Sequence, residues 1–111
     1  MERETSNMTM DYGLLSEVMW TEKEFQARVR SEAEDAGWKV YAVYDSRKTP
    51  AGWPDLTLVR GNRLMFWELK REKRSKVTSA QTEWLEALAA TGAETAVYRP
   101  SDIDEMLEKL A

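Results

Sequence analysis

From Thr21 onward apolar residues recur at helical spacing. Phe25, Val29, Ala33 and Ala36 form one stripe, and Gly37 marks its end. Thr21 followed three residues later by Glu24 is a capping box, which predicts a helix between Thr21 and Gly37. The period then drops to two. Trp38 to Tyr44 reads as a strand with Val40, Ala42 and Tyr44 on one face. Two runs rich in Val, Leu, Thr, Phe and Trp flank Gly61-Asn62, a pair that accepts the positive φ of a tight turn, so Gly52 to Lys70 is predicted to be a β-hairpin. Thr78 or Ser79 opens a second helix that runs to about Thr91, with Gln81, Trp84, Leu85 and Leu88 on one face and Gly92 at its end. Glu94 to Arg99 is a further strand. Pro100 stops it, and Ser101 is the expected cap of a last helix that docks through Ile103, Met106, Leu107 and Leu110. The order is α-β-β-β-α-β-α, an α/β (α+β) chain with helices against a central mixed sheet.

The hairpin carries the candidate chemistry. With Gly61-Asn62 as the turn, Arg60 faces Arg63 and paired positions sum to 123, which sets Asp55 opposite Glu68. Side chains so placed are about 5 Å apart, and like charges there repel. Strand alternation brings Lys70 out on the face of Glu68. A hard divalent cation such as Mg2+ takes oxygen ligands, commonly one or two carboxylates with waters and substrate phosphates. Asp, Glu and Lys at one end of one face therefore form the nucleus of a metal-dependent phosphodiesterase site. Glu22 precedes Phe25 by three residues and falls on the inward side of the first helix, so it is taken as a third metal-site carboxylate, with Glu24 the alternative. Gln81, in the first turn of the second helix, could bond a catalytic water, a phosphate or Lys70, or satisfy a backbone group.

The 111 residues suit one domain, here divided into an N-terminal arm at 1–19 and a folded part at 20–111. The chain has no cysteine and no histidine, which removes thiol nucleophiles, Ser-His-Asp catalysis and Cys/His zinc sites. Carboxylate, lysine, metal and water remain. No apolar run approaches the length of a membrane span, and the start Met1-Glu2-Arg3-Glu4-Thr5 is unlike a secretory signal, so a cytoplasmic protein is expected. The net charge of -4 is unevenly spread. Between Lys39 and Lys76 lie 10 basic residues against 4 acidic ones, a local balance of +6, and the remainder carries -10. Such asymmetry suggests a nucleic-acid-facing side. Its candidates are the loop bearing Ser46, Arg47 and Lys48 and the basic run bearing Arg71, Lys73, Arg74 and Lys76.

Gly52-Trp53-Pro54-Asp55-Leu56 followed by Glu68-Leu69-Lys70 resembles the PD-(D/E)xK nuclease signature. With Thr21-Glu22, Phe25-Gln26, Asp45-Ser46-Arg47, Gln81 and Trp84-Leu85 in the same order, the chain resembles more narrowly the VRR-NUC (virus-type replication-repair nuclease) domain. That resemblance implies a restriction-endonuclease-like fold and Mg2+- or Mn2+-dependent hydrolysis of DNA, branched or Holliday-junction DNA in particular, in a bacterial or phage-infected cell. It further implies Asp55, Glu68 and the Leu69 backbone carbonyl as metal ligands, Lys70 beside the attacking water, Glu22 as first-helix acid and Gln81 as accessory glutamine. A homodimer is implied as well, because one such domain has one site. The chain departs from the family in lacking a histidine before the loop, where Ala42 or Tyr44 stands. The competing expectations are a non-catalytic DNA-binding or assembly module with the same fold and a protein-interaction domain whose carboxylates form internal ion pairs.

Overall fold

Gly61 turns the chain back at φ +61, and Arg60 pairs with Arg63 across it. No residue other than glycine has positive φ among the described residues, so Asn62 does not share the left-handed conformation. This is a Gly-first turn of the II′ kind, one of the few whose twist suits a hairpin. The computed structural model describes residues 20–43, 46–71 and 76–111. The elements are α1 (Glu22–Asp35), β1 (Lys39–Ala42), β2 (Leu56–Arg60), β3 (Arg63–Leu69), α2 (Ser79–Ala89), β4 (Glu94–Tyr98) and α3 (Ile103–Leu110), with 3-10 turns at Ser46–Lys48 and Pro100–Asp102. The sheet order is β1-β2-β3-β4. The first two pairings are antiparallel and β3-β4 is parallel, the latter joined by the α2 crossover. It is a mixed-sheet, restriction-endonuclease-like α/β fold.

Register follows the fixed sum: Leu56 pairs with Trp67 and Leu58 with Met65. Leu56, Leu58, Met65, Trp67 and Leu69 all point to one face, where Phe25, Val29 and Ala33 of α1 and Ile103, Met106 and Leu110 of α3 close the core. Each Leu, Ile, Val, Phe or Met among them contributes about 1.5–3 kcal/mol when fully buried. Among the described residues the opposite face is covered only in part. α2 packs on β3 and β4, so Phe66 is buried, whereas Tyr41 is 61% exposed and Val59 and Leu64 are also open. β3 is thus buried on both faces over its second half, and β2 on one.

At the turn end of the hairpin two arginines are committed to structure. The guanidiniums of Arg60 and Arg63 lie 4.7 and 5.0 Å from the Trp38 ring. Arg60 donates to the carbonyls of Ala36 and Leu110, both at 2.9 Å, and so closes the C-terminal ends of α1 and α3. Trp38 Nε1 donates to the same Leu110 carbonyl at 3.0 Å. Arg63 grips Glu94 with two bonds of 2.9 Å, holding the starts of β3 and β4 together and pulling the Glu94 carboxyl below its usual range. These two cations therefore leave the basic face expected from the sequence.

Other departures are local. β1 stops at Ala42, and the expected strand end at Tyr44 lies outside the described residues, as do the arm 1–19 and Asp45. α2 ends at Ala89, and Thr91 and Gly92 form the turn beyond it. The cap position of α3 is Asp102, not Ser101, because the 3-10 turn Pro100–Asp102 intervenes, and the Asp102 carboxylate accepts the Arg99 N–H at 2.8 Å at the start of that turn. Leu107 is 37% exposed because the stripe of α3 is the narrower Ile103, Met106 and Leu110. No helix among the described residues is long and apolar enough to cross a membrane.

Arg60→Ala is expected to lower unfolding stability by about 2 kcal/mol, from the lost ring contact and the carbonyls left without a donor. Urea denaturation measures it, and an unchanged midpoint would contradict the capping role.

Candidate active site

Asp55 stands one residue before β2, at the open end of the hairpin. Val43 N–H donates to its carbonyl at 3.0 Å, carrying the β1-β2 ladder one step further, and buried Pro54 precedes it. Its Oδ2 accepts the Leu69 N–H at 2.8 Å. In an extended strand the N–H and C=O of one residue leave the same edge, so the Leu69 carbonyl faces the side where Asp55 sits.

Glu68 lies on the doubly covered part of β3 and is 3% exposed. Its Oε2 accepts from Gln81 Nε2 at 2.8 Å and lies 3.5 Å from the Lys70 ammonium, itself only 8% exposed. Its Oε1 is buried with no hydrogen-bond partner. Burial, and then the neighbouring Asp55 charge, push the Glu68 carboxyl up to about 8, and burial raises Asp55 as well. Two adjoining carboxyls in a low-dielectric pocket cannot readily both ionise, and at neutral pH the pair retains a proton. When both carboxyls are ionised, that buried oxygen beside a second carboxylate lacks a positive partner, and the retained proton occupies the place one would take. A divalent cation supplies one, so Asp55, Glu68 and the Leu69 carbonyl fit a hard metal ion.

Gln81 owes its position to two local devices. Thr78 Oγ1 accepts the Gln81 N–H and Gln81 Oε1 accepts the Thr78 N–H, a capping box that leaves the amide nitrogen free to reach Glu68. The glutamine thus satisfies a backbone group and holds Glu68, rather than contacting Lys70. Gly52, at φ +89, lies against the same turn, and a Cβ on it would come 2.5 Å from the Ala80 carbonyl carbon and 2.7 Å from the Gln81 nitrogen. Only glycine permits that approach. Trp53 follows, edge-on to Phe66 and Trp84 at 5.8 and 4.9 Å. The Thr-x-x-Gln spacing was a readable signal of the capping box, whereas the Gly52 contact joins segments remote in sequence.

Glu22 is exposed in the first turn of α1, not inward, because the buried stripe starts at Phe25. It lines an open cavity of about 750 Å3 together with Asp55, and its charge raises the Asp55 carboxyl. Among the described residues no three acidic side chains gather closely enough to hold one ion. Glu24 is occupied by its own cap, accepting the Thr21 N–H at 2.9 Å. Ser46 belongs to the 3-10 turn, on which Arg47 and Lys48 are exposed. Arg71 and Lys76 are exposed, and the Arg71 carbonyl accepts from Arg99. Lys73 and Arg74 lie outside the described residues.

The VRR-NUC domain family matches residues 2–102. A solved VRR-NUC domain protein is similar at 25% identity and a TM-score of 0.63, over 83% of this chain and 91% of its own. A second VRR-NUC domain shares the fold at 22% identity and a TM-score of 0.65, over 78% and 94%. Archaeoglobus fulgidus Hjc, a Holliday junction resolvase from an archaeal hyperthermophile, is similar at 25% identity and a TM-score of 0.54, over 68% of this chain and 66% of its own. No curated protein matches the chain.

The pair's proton has a thermodynamic signature. Between about 4.5 and about 8 folded Glu68 holds a proton that the unfolded chain has released, so stability without divalent ions falls as pH rises through that window. Thermal melts in chelator from pH 5 to 9 should give a falling midpoint that flattens in Glu68→Gln. Equal slopes in the two proteins would contradict the buried pair.

Proposed function

The chain belongs to the VRR-NUC family of the PD-(D/E)xK nuclease superfamily, and from that premise we propose that it is a metal-dependent endonuclease hydrolysing DNA phosphodiester bonds, selective for structure rather than sequence. The observation that carries this reading is the buried Glu68 oxygen left without a partner beside Asp55, with the Lys70 ammonium at 3.5 Å from the other oxygen.

Asp55, Glu68 and the Leu69 carbonyl would hold Mg2+ or Mn2+, which when bound lowers the pKa of a water ligand and offsets charge on the phosphate. Gln81 fixes the Glu68 carboxylate by its 2.8 Å bond and so keeps the ligand oxygen aimed at the pocket. Lys70 is too buried to wander; it presents a fixed positive charge where the attacking water and the phosphate meet. Glu22, across the cavity from Asp55, is the first-helix acid of the site. Arg47, Lys48, Arg71 and Lys76 are exposed, and in this reading they meet backbone phosphates, which position DNA without reading bases.

The likeness to a Holliday junction resolvase supports branched DNA as the substrate. One domain of this kind carries one site, so cutting two strands of a junction takes a homodimer about a two-fold axis. Replication, recombination or repair in a bacterial or phage-infected cell is the setting this implies, with 20–111 as the nuclease domain and 1–19 as an arm.

Asp55→Ala or Lys70→Ala should each remove cleavage, by at least a hundredfold, while DNA binding stays measurable, and chelation of divalent ions should abolish cleavage by the unaltered chain. A gel assay on junction, flap, single-stranded and linear duplex DNA with Mg2+ or Mn2+ reads all of this. Undiminished cutting by both variants would refute the assignment.

A further inference from the structure

Of three cations on α1, Arg28 is held by Glu32 at 2.8 Å and by the Trp20 ring, on a side away from the site. Lys23 and Arg30 face elsewhere. With Gln26, at positions i, i+3 and i+7 of one helical face, they line the cavity that Glu22 and Asp55 also line. Ala27, Ala42 and Val43 complete its lining. Seven residues at 1.5 Å carry about 10.5 Å from Lys23 to Arg30, a distance that the phosphates of one strand, each separated from the next by a whole sugar, cover in one or two nucleotides. A volume of about 750 Å3 is that of a small-ligand cleft, sufficient for a short length of one strand and not for a duplex.

We propose that this cavity is a track for the sugar-phosphate backbone of a single DNA strand leading to Asp55, with Lys23 and Arg30 holding phosphates one or two nucleotides apart and Gln26 bonding the backbone between them. The proposal rests on the nuclease reading and adds a binding surface on α1 to the loops already described. Arg30 is available for it, since its bond to Glu34 is an exposed i,i+4 pair of 3.3 Å that a phosphate can displace. The strand enters between α1 and the edge strand β1, a route open to unpaired DNA at a branch point.

The test is equilibrium binding of a fluorescein-labelled single-stranded oligonucleotide to the full chain in chelator across a salt series. Each phosphate contact on a single strand contributes about 0.7 to the slope of log K against log salt. Lys23→Gln with Arg30→Gln should lower the slope by about 1.4, each single substitution by about half that, and Lys109→Gln, at the turn end of the molecule, by nothing. An unchanged slope in the double variant overturns the track. Circular dichroism and thermal melts check folding, and if the double variant melted early Lys23→Gln alone would decide. Cleavage by the unaltered chain in Mg2+ or Mn2+ is run in parallel. No cleavage with a reduced slope defeats the nuclease reading and leaves the track; cleavage with an unchanged slope does the reverse.

Discussion

The antiparallel register between β2 and β3 is the constraint on which everything else depends. Side chains alternate with a period of two, so a slip of one residue would send Asp55 to the opposite face from Glu68 and expose Leu56 and Leu58 in place of Thr57 and Val59. The apolar core and the acidic pair therefore enforce one another. Gly61 sets the count from the turn, and the buried leucines hold it along the strands. The Asp55 bond to the Leu69 N–H then continues the pairing past the last ladder position, using a side chain in place of a backbone carbonyl.

A second tension lies in where Glu68 sits. β3 is covered on both faces over its second half, an environment that suits Phe66, Trp67 and Leu69 and opposes a carboxylate. Gln81 and Lys70 offset part of that cost, and a retained proton offsets more. Without that proton one oxygen is left over. A purely structural polar cluster would have every acceptor met, and here the unmet one is on the buried Glu68 beside Asp55.

Much of this was legible from residue order because it rests on local rules. The Thr21-Glu24 box, the fixed-sum pairing and the sequence of elements follow from spacing alone. Long-range contacts were not. Arg60 and Arg63 read as members of a basic face until the ends of α1 and α3 are brought beside them, because a guanidinium that caps a helix and one that meets a phosphate look alike in a string of letters. Glu22 reads as inward for a related reason: helical phase gives direction, but burial on α1 starts only at Phe25, a turn further on. Ser101 resembles a helix cap, yet a 3-10 turn comes between Pro100 and α3 and moves the cap position to Asp102.

The contact between Gly52 and Ala80 has a mechanical corollary. Backbone meets backbone there, with no side chain between them to yield. Arg47 and Lys48 ride on the same segment as Gly52, and Gln81 is the next residue after Ala80. A displacement of that segment would therefore press directly on the backbone that sets Gln81, and through the 2.8 Å amide bond on the Glu68 carboxylate.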